Sequence, residues 1–339
     1  MATENVPFDQ LSKQEADDVL AQALDVAKRD EAGVRSGGIM VIAPAKINLV
    51  LGIGAKREDG YHYADTIMHA LALHDVVRMR RVDLTGFGIG LDIHLSMEHT
   101  EGIAPVDVEP EENLAYRAVA NLARAIGRNE DEEVHIHIVK SIPAQAGLGG
   151  GSSDAAAALV GAARLWGLDP EDPRLAEVAA GLGADVAFFL KGGCAYLTGR
   201  GEQYVHSLAP RKDFVLLVAP DQGVSTAEAY REFDQDPALP TDTQRGKWGV
   251  IQDASLVDPF NNLAPAAERV LPELTEIRQW AEPLEGVNSV LLCGSGSATA
   301  LFCDSFAKAT ELSAKAQLKG WSARVTSLVG IGAAIRDRF

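Results

Sequence analysis

Apolar residues Leu11, Val19, Leu20, Ala23, Leu24 and Ala27 recur at helical spacing and predict one amphipathic helix over Leu11 to Asp30, with Ser12 and Glu15 as a capping box. Glu31 to Gly38 then reads as a linker. From Ile39 the pattern turns to strands. M-V-I-A-P-A-K-I-N-L-V-L-G-I and H-A-L-A-L-H-D-V-V-R-M are apolar runs on either side of the polar loop Lys56 to Tyr63. A solvated acidic excursion is expected over Glu98 to Glu112, followed by a helix from Asn113 to Ile126, a strand from Val134 to Val139 and an alanine-rich helix from Asp154 to Leu168. The apolar G-A-D-V-A-F-F-L comes next, and K-G-G-C-A-Y-L-T-G-R-G-E reads as a hairpin. F-V-L-L-V-A-P, N-S-V-L-L-C-G-S-G-S-A-T-A-L-F-C and R-V-T-S-L-V-G surround the helical L-A-P-A-A-E-R-V-L-P-E-L in a second unit. Strands and helices alternate without a regular βαβ rhythm, so the expected class is α+β. A break near Ser207 to Lys212 divides the chain into a helical extension and linker (1–38), a first domain (39–207) and a second (208–339).

Where the third strand ends, the chain reads I-P-A-Q-A-G-L-G-G-G-S-S-D-A-A-A, from Ile142 to Ala157. Gly147, Gly149, Gly150 and Gly151 lack a Cβ, so they can take positive φ and let backbone N–H groups come close to an anion. Ser152 and Ser153 add hydroxyl donors, and the following helix aims its unpaired N–H groups and positive dipole end at the loop. A plain helix cap needs fewer glycines, so phosphate is the expected ligand. No lysine follows the glycines, which excludes a Walker A loop. Ser152 stands where the third glycine of a Rossmann fingerprint belongs, and the protein-kinase motifs are absent.

Composition narrows the class. The 339 residues carry a net charge of −17, which argues against nucleic acid as a partner and requires the few cations of a phosphate site to be gathered locally. The three cysteines, Cys194, Cys293 and Cys303, show no C-x-x-C spacing, so neither a disulfide framework nor a zinc site is suggested by them. No apolar run reaches the length of a membrane span, and the first ten residues have neither a basic nor an apolar leader region. The expectation is a cytoplasmic protein with no membrane contact, acting as a monomer or weak homodimer.

Three places break local rules. Lys46 sits inside the apolar A-P-A-K-I-N-L with Asn48 on the same strand face, Asp185 precedes the apolar V-A-F-F-L, and G-Y-H (Gly60 to His62) puts an aromatic and an imidazole at a loop end. Each taken alone is as compatible with structure as with function.

In order, P-A-K-I-N-L, R-E-D-G-Y-H, P-A-Q-A-G-L-G-G-G-S-S-D-A-A, L-G-A-D-V and C-G-S-G-S resemble the GHMP kinase family from Ile39 to about Phe302. R-E-D-G-Y-H after A-K-I-N-L resembles the branch that phosphorylates the 2-hydroxyl of a cytidyl alcohol, diphosphocytidyl-methylerythritol, in non-mevalonate isoprenoid biosynthesis. The resemblance implies a ribosomal-protein-S5-like nucleotide domain joined to a ferredoxin-like domain, with ATP as co-substrate and Mg²⁺. It implies that Pro143, Ala144, Gln145, Ala146, Gly147, Leu148, Gly149, Gly150, Gly151, Ser152 and Ser153 wrap the ATP phosphates, with Asn113 and Lys140 lining the adenine pocket. Asp185 and Lys46 then meet at the alcohol, where Asp185 either takes the hydroxyl proton or orients the hydroxyl. Asn48, Tyr61, His62, Thr226, Tyr230, Gly294, Ser295 and Gly296 take the substrate side, with Tyr61, His62 and Tyr230 around the cytosine. The Mg²⁺ ligands are unassigned beyond Ser152 or Ser153. The chain departs from the pattern at Ala187, where proline is usual, at Gln145, where glycine is frequent, and in its first 38 residues. A GHMP kinase for mevalonate, homoserine or a sugar, and a non-catalytic nucleotide-binding regulator, are the competing expectations.

Overall fold

The computed structural model describes residues 38–86, 88, 90–105 and 108–336, so the expected helix from Leu11 to Asp30 lies outside the described residues. Two long apolar runs pair antiparallel as β1 (Ile39–Lys56) and β2 (His62–Asp83). Their register shifts between Pro44 and Lys46 and between Asn48 and Val50, and such bulges re-aim the side chains beside them.

On the far side of β2 lie β4 (Glu132–Lys140) and the edge strand β3 (Leu91–His99), parallel to β4. β3 is not among the strands expected from the sequence, although the run alternates strictly. Leu91, Ile93, Leu95 and Met97 face the core, and the residues between them face out. The acidic excursion is correspondingly shorter. The hairpin β5 (Cys194–Thr198) and β6 (Gln203–Ser207) attaches to β2 through β5. The outer edge of β1 is covered by two short strands from distant sequence, β8 (Phe260–Asn261) and β12 (Ala334–Arg336).

One face of this sheet buries α1 (Leu114–Ile126), α2 (Gly150–Leu165), α3 (Pro173–Leu182) and α4 (Ala184–Lys191) around Val77, Ile136, Leu159 and Phe188. The helix expected from Asp154 begins four residues earlier. Gly149 is its N-cap, with φ +73°, so Gly150, Gly151, Ser152 and Ser153 form its first turn. It ends before Gly167, whose φ of +70° is left-handed and stops a helix.

A second antiparallel sheet has the order β11 (Ser322–Ser327), β7 (Phe214–Ala219), β10 (Thr299–Cys303), β9 (Val287–Leu292). Its outer face is covered by α8 (Glu273–Ala281) and α9 (Phe306–Gln317) through Ile277, Leu312 and Ala316. Its inner side meets Ile47 and Leu49 of β1 through Val215, Leu217, Ala300 and Phe302. The connection between β7 and β9 holds α5 (Thr226–Phe233), α6 (Asp242–Val250) and α7 (Ala264–Val270). The single helix expected over L-A-P-A-A-E-R-V-L-P-E-L is two, because Pro272 has no N–H to continue α7. The architecture is α+β, and among the described residues no helix is long and apolar enough to cross a membrane.

Candidate active site

The glycine loop lies between β4 and α2, and a cavity opens on each side of it. One, of about 360 Å³, is lined by Lys46, Asn48, Thr66, Asp185, Arg200, Thr226, Tyr230, Gly294 and Ser295. The other, of about 410 Å³, is lined by Met97, Asn113, Lys140 and the run from Ile142 to Ser152. Gly147, Gly149 and Ser152 border both. A larger cavity on the outward face of β3 and β4 contains none of the expected site residues.

The loop is held in a conformation that requires glycine at its tightest point. Gly147 has φ +73°, and a Cβ there would fall 1.8 Å from the carbonyl oxygen of Cys293. The segment after β9 therefore presses directly on the loop, and Ser297 N and Ala298 N donate to the carbonyls of Gln145 and Ala146 at 3.2 Å each. Gln145 itself has φ +52°. That left-handed backbone puts a strain on glutamine that glycine would avoid.

Lys46 is brought to the loop by a backbone bond, its N–H donating to the Leu148 carbonyl at 3.0 Å. Its buried ammonium donates to Asn48 Oδ1 at 2.7 Å and lies 3.5 Å from Asp185 Oδ2. Asn48 Nδ2 donates in turn to Thr66 Oγ1, which donates to the Val50 carbonyl, so the row is fully ordered from strand to carboxylate. Asp185 sits in the first turn of α4, after Gly183, where the helix dipole favours an anion. Burial pushes the Tyr230 hydroxyl up to about 12, and the Asp185 charge adds to it.

The expected site residues divide on inspection. Ser152 lines both cavities, whereas Ser153 is fully buried and its Oγ donates to the Pro44 carbonyl at 2.7 Å. The expectation that the Ser153 side chain faces phosphate is thus corrected. The α2 turn carries adjacent side chains about 100° apart, so one hydroxyl faces out and the other faces in. Asn113 caps α1 by accepting from Ala115 N at 2.9 Å, and its amide reaches Met97 Sδ. Lys140 is on the cavity wall, but its ammonium is clamped between Asp75 and Asp154. Asp75 also accepts from the N–H groups of Ser141 and Ile142. Burial pushes the Asp154 carboxyl up to about 7 against the pull of Lys140. Burial also works against the Lys140 charge, yet its two carboxylates raise its pKa.

On the substrate side, Thr226 Oγ1 and Ser295 Oγ are 2.9 Å apart, bridging α5 to the segment after β9. His62 Nε2 is 2.7 Å from Asp234 Oδ1, and its ring centroid lies 5.3 Å from that of Tyr230. Tyr61 is exposed and outside the cavity lining, but the Arg200 guanidinium, which lines it, sits 4.8 Å over the Tyr61 ring. Thr66, Asp75, Asp154, Arg200 and Asp234 are the residues that the sequence reading left out. Asp75 carried a usable signal, an acid inside an apolar run, the same signal that marks Asp185.

Residues 113–193 match the family model for the N-terminal domain of GHMP kinases. A 4-diphosphocytidyl-2-C-methyl-D-erythritol kinase of Desulfitobacterium hafniense is 39% identical over 264 residues, covering 77% of this chain and 85% of that one. The chain belongs to the 4-diphosphocytidyl-2-C-methyl-D-erythritol kinase family. A family member from Nocardioides sp. is 38% identical over 280 residues, 80% of this chain and 91% of that one. The fold agrees with this kinase family too. A crystal structure of 4-(cytidine 5'-diphospho)-2C-methyl-D-erythritol kinase superimposes with a TM-score of 0.67 at 31% identity, over 86% of this chain and 99% of that one.

Proposed function

We propose that the chain transfers the γ-phosphoryl group of ATP to the 2-hydroxyl of 4-diphosphocytidyl-2-C-methyl-D-erythritol, a step of non-mevalonate isoprenoid biosynthesis in the cytoplasm. The observation that carries the reading is the pair of cavities sharing Gly147, Gly149 and Ser152, with Lys46 and Asp185 in one of them. ATP occupies the cavity beside Asn113 and Lys140, its phosphates crossing the glycine loop. The alcohol occupies the other, beside Asp185.

Phosphoryl transfer depends on alignment and charge neutralisation more than on covalent chemistry. The loop N–H groups and the start of α2 receive the phosphate oxygens. The Lys46 ammonium, fixed by Asn48, stabilises charge developing on the transferred group. Asp185 orients the hydroxyl and takes its proton as the O–P bond forms. Mg²⁺ prefers a few hard oxygen ligands completed by substrate phosphates, and the Ser152 hydroxyl, which borders both cavities, would supply one such oxygen. When bound there, the ion neutralises phosphate charge.

The cytidine end lies toward Tyr230, with Tyr61 and His62 beyond it. Tyr61→Ala is expected to raise KM for the cytidyl substrate about ten- to a hundredfold through lost base stacking, with KM for ATP unchanged. Steady-state kinetics in each substrate decide this, and a change in KM for ATP alone removes Tyr61 from the cytidine site.

The function itself is tested by ADP release with the cytidyl alcohol, mevalonate, homoserine and galactose in parallel. Turnover confined to the cytidyl alcohol is the expected result. Turnover confined to another alcohol makes the chain a different GHMP kinase, and none on any of them removes the enzymatic reading.

A further inference from the structure

Away from the cleft, the outward face of β3 and β4 carries side chains with metal-ligating chemistry. The parallel register sets Asp92 beside Glu133, His94 beside His135 and Ser96 beside His137. By strand alternation all six point away from the helices, while Ile93, Leu95, Val134 and Ile136 pack inward. The His94 and His135 rings are stacked, with centroids 4.7 Å apart. Glu133 reaches both, with Oε2 at 2.7 Å from His135 Nε2 and Oε1 at 4.0 Å from His94 Nε2. Asp92 Oδ2 is 3.3 Å from His94 Nε2.

We propose that His94, His135 and Glu133 form a site for a divalent transition-metal ion of the zinc type, with Asp92 positioned as a further ligand. Two imidazoles and one carboxylate suit zinc, whereas magnesium favours oxygen alone. One donor atom from each of the three residues lies within 4.8 Å of the others. Tetrahedral zinc bonds of about 2.0–2.2 Å bring donors to roughly 3.4 Å from one another, so closure requires only side-chain rotation. The strands supply the rigid frame, since their register already places the two histidines side by side. His135 lies five residues before Lys140 on β4, roughly 17 Å by strand rise, so this site is separate from the phosphate cleft.

Arg80 opposes the ion. Its Nη2 lies 3.3 Å from His135 Nδ1, which makes that nitrogen the acceptor and leaves the ring proton on Nε2, facing Glu133. Metal on Nε2 requires the proton on Nδ1, so the Arg80 guanidinium must turn away. Removing it therefore tightens binding, an effect opposite in sign to removing a ligand.

The test is calorimetric titration of the chelator-treated full chain with Zn²⁺, paired with the visible absorption of Co²⁺ as a coordination probe. The expected result is one ion per chain that millimolar Mg²⁺ does not displace. His94→Ala and Glu133→Gln are each expected to weaken it by about tenfold or more, and Arg80→Ala to strengthen it. Unchanged kinase turnover without added zinc certifies that each variant is folded. The proposal is overturned by an absence of Zn²⁺ binding, or by affinity that neither ligand variant changes.

Discussion

Asp185→Asn lowers kcat by about 10²–10⁴-fold, the range for a lost acid–base group, and leaves KM for ATP near its wild-type value. The amide is isosteric and keeps the start of α4 intact, but it neither accepts the hydroxyl proton nor presents an anion to Lys46. Lys46 stays ordered in the variant, because its hydrogen bond to Asn48 does not involve Asp185. ATP binding rests on the loop and the cavity beside Lys140, on the other side of Gly149. Single-turnover measurement of ADP formation with saturating ATP isolates the chemical step. A variant that turns over at the wild-type rate excludes Asp185 from that step.

Lys140→Met destabilises the fold by about 3–5 kcal/mol, the usual consequence of stripping the partner from a buried charge. Asp75 and Asp154 are both buried, and both depend on the same ammonium. Without it, two carboxylates face each other inside the protein, and Asp154 Oδ1 already has no hydrogen-bond partner among the described residues. The loss is greatest near neutral pH and shrinks in acid, where protonated carboxyls need no cation.

Asp154 alone adds a pH dependence of known sign. Its folded pKa of about 7 exceeds the ordinary 3.8, so the folded state holds a proton that the unfolded chain releases. The stability tied to that proton is complete below about pH 4, declines as pH rises toward 7 and is gone above it. Asp154→Asn removes this dependence. Denaturant unfolding of wild type, Asp154→Asn and Lys140→Met across pH 4 to 8 checks both statements, and equal destabilisation of Lys140→Met at all pH values refutes the first.

Much of the site is legible in the amino-acid order because its chemistry is locally incongruous. A lysine in a strand and an aspartate before V-A-F-F-L stand out against apolar neighbours, and the glycine run exceeds what a cap requires. Residues whose meaning depends on distant partners are not legible in this way. Lys140 looks like a free cation until Asp75, on another strand, arrives beside it. Ser152 and Ser153 are indistinguishable until the helix start is known, since a shift of one residue turns each side chain by about 100°. The strand β3 was concealed for a related reason. Its polar face merges with the acidic stretch that follows, and only the parallel partner β4 shows that the alternation is buried on one side.

The outermost contacts of β1 set the order in which the molecule can be assembled. Met40 to Ile42 pair with Ala334 to Arg336, and Val50 and Leu51 with Phe260 and Asn261. At these positions the outer edge of the strand that carries Lys46 is closed by segments more than two hundred positions away. Such contact order slows folding, because the closure entropy of a long chain loop must be met before the pairing repays it. During synthesis this edge of β1 therefore lacks these strand partners until the last part of the chain is made.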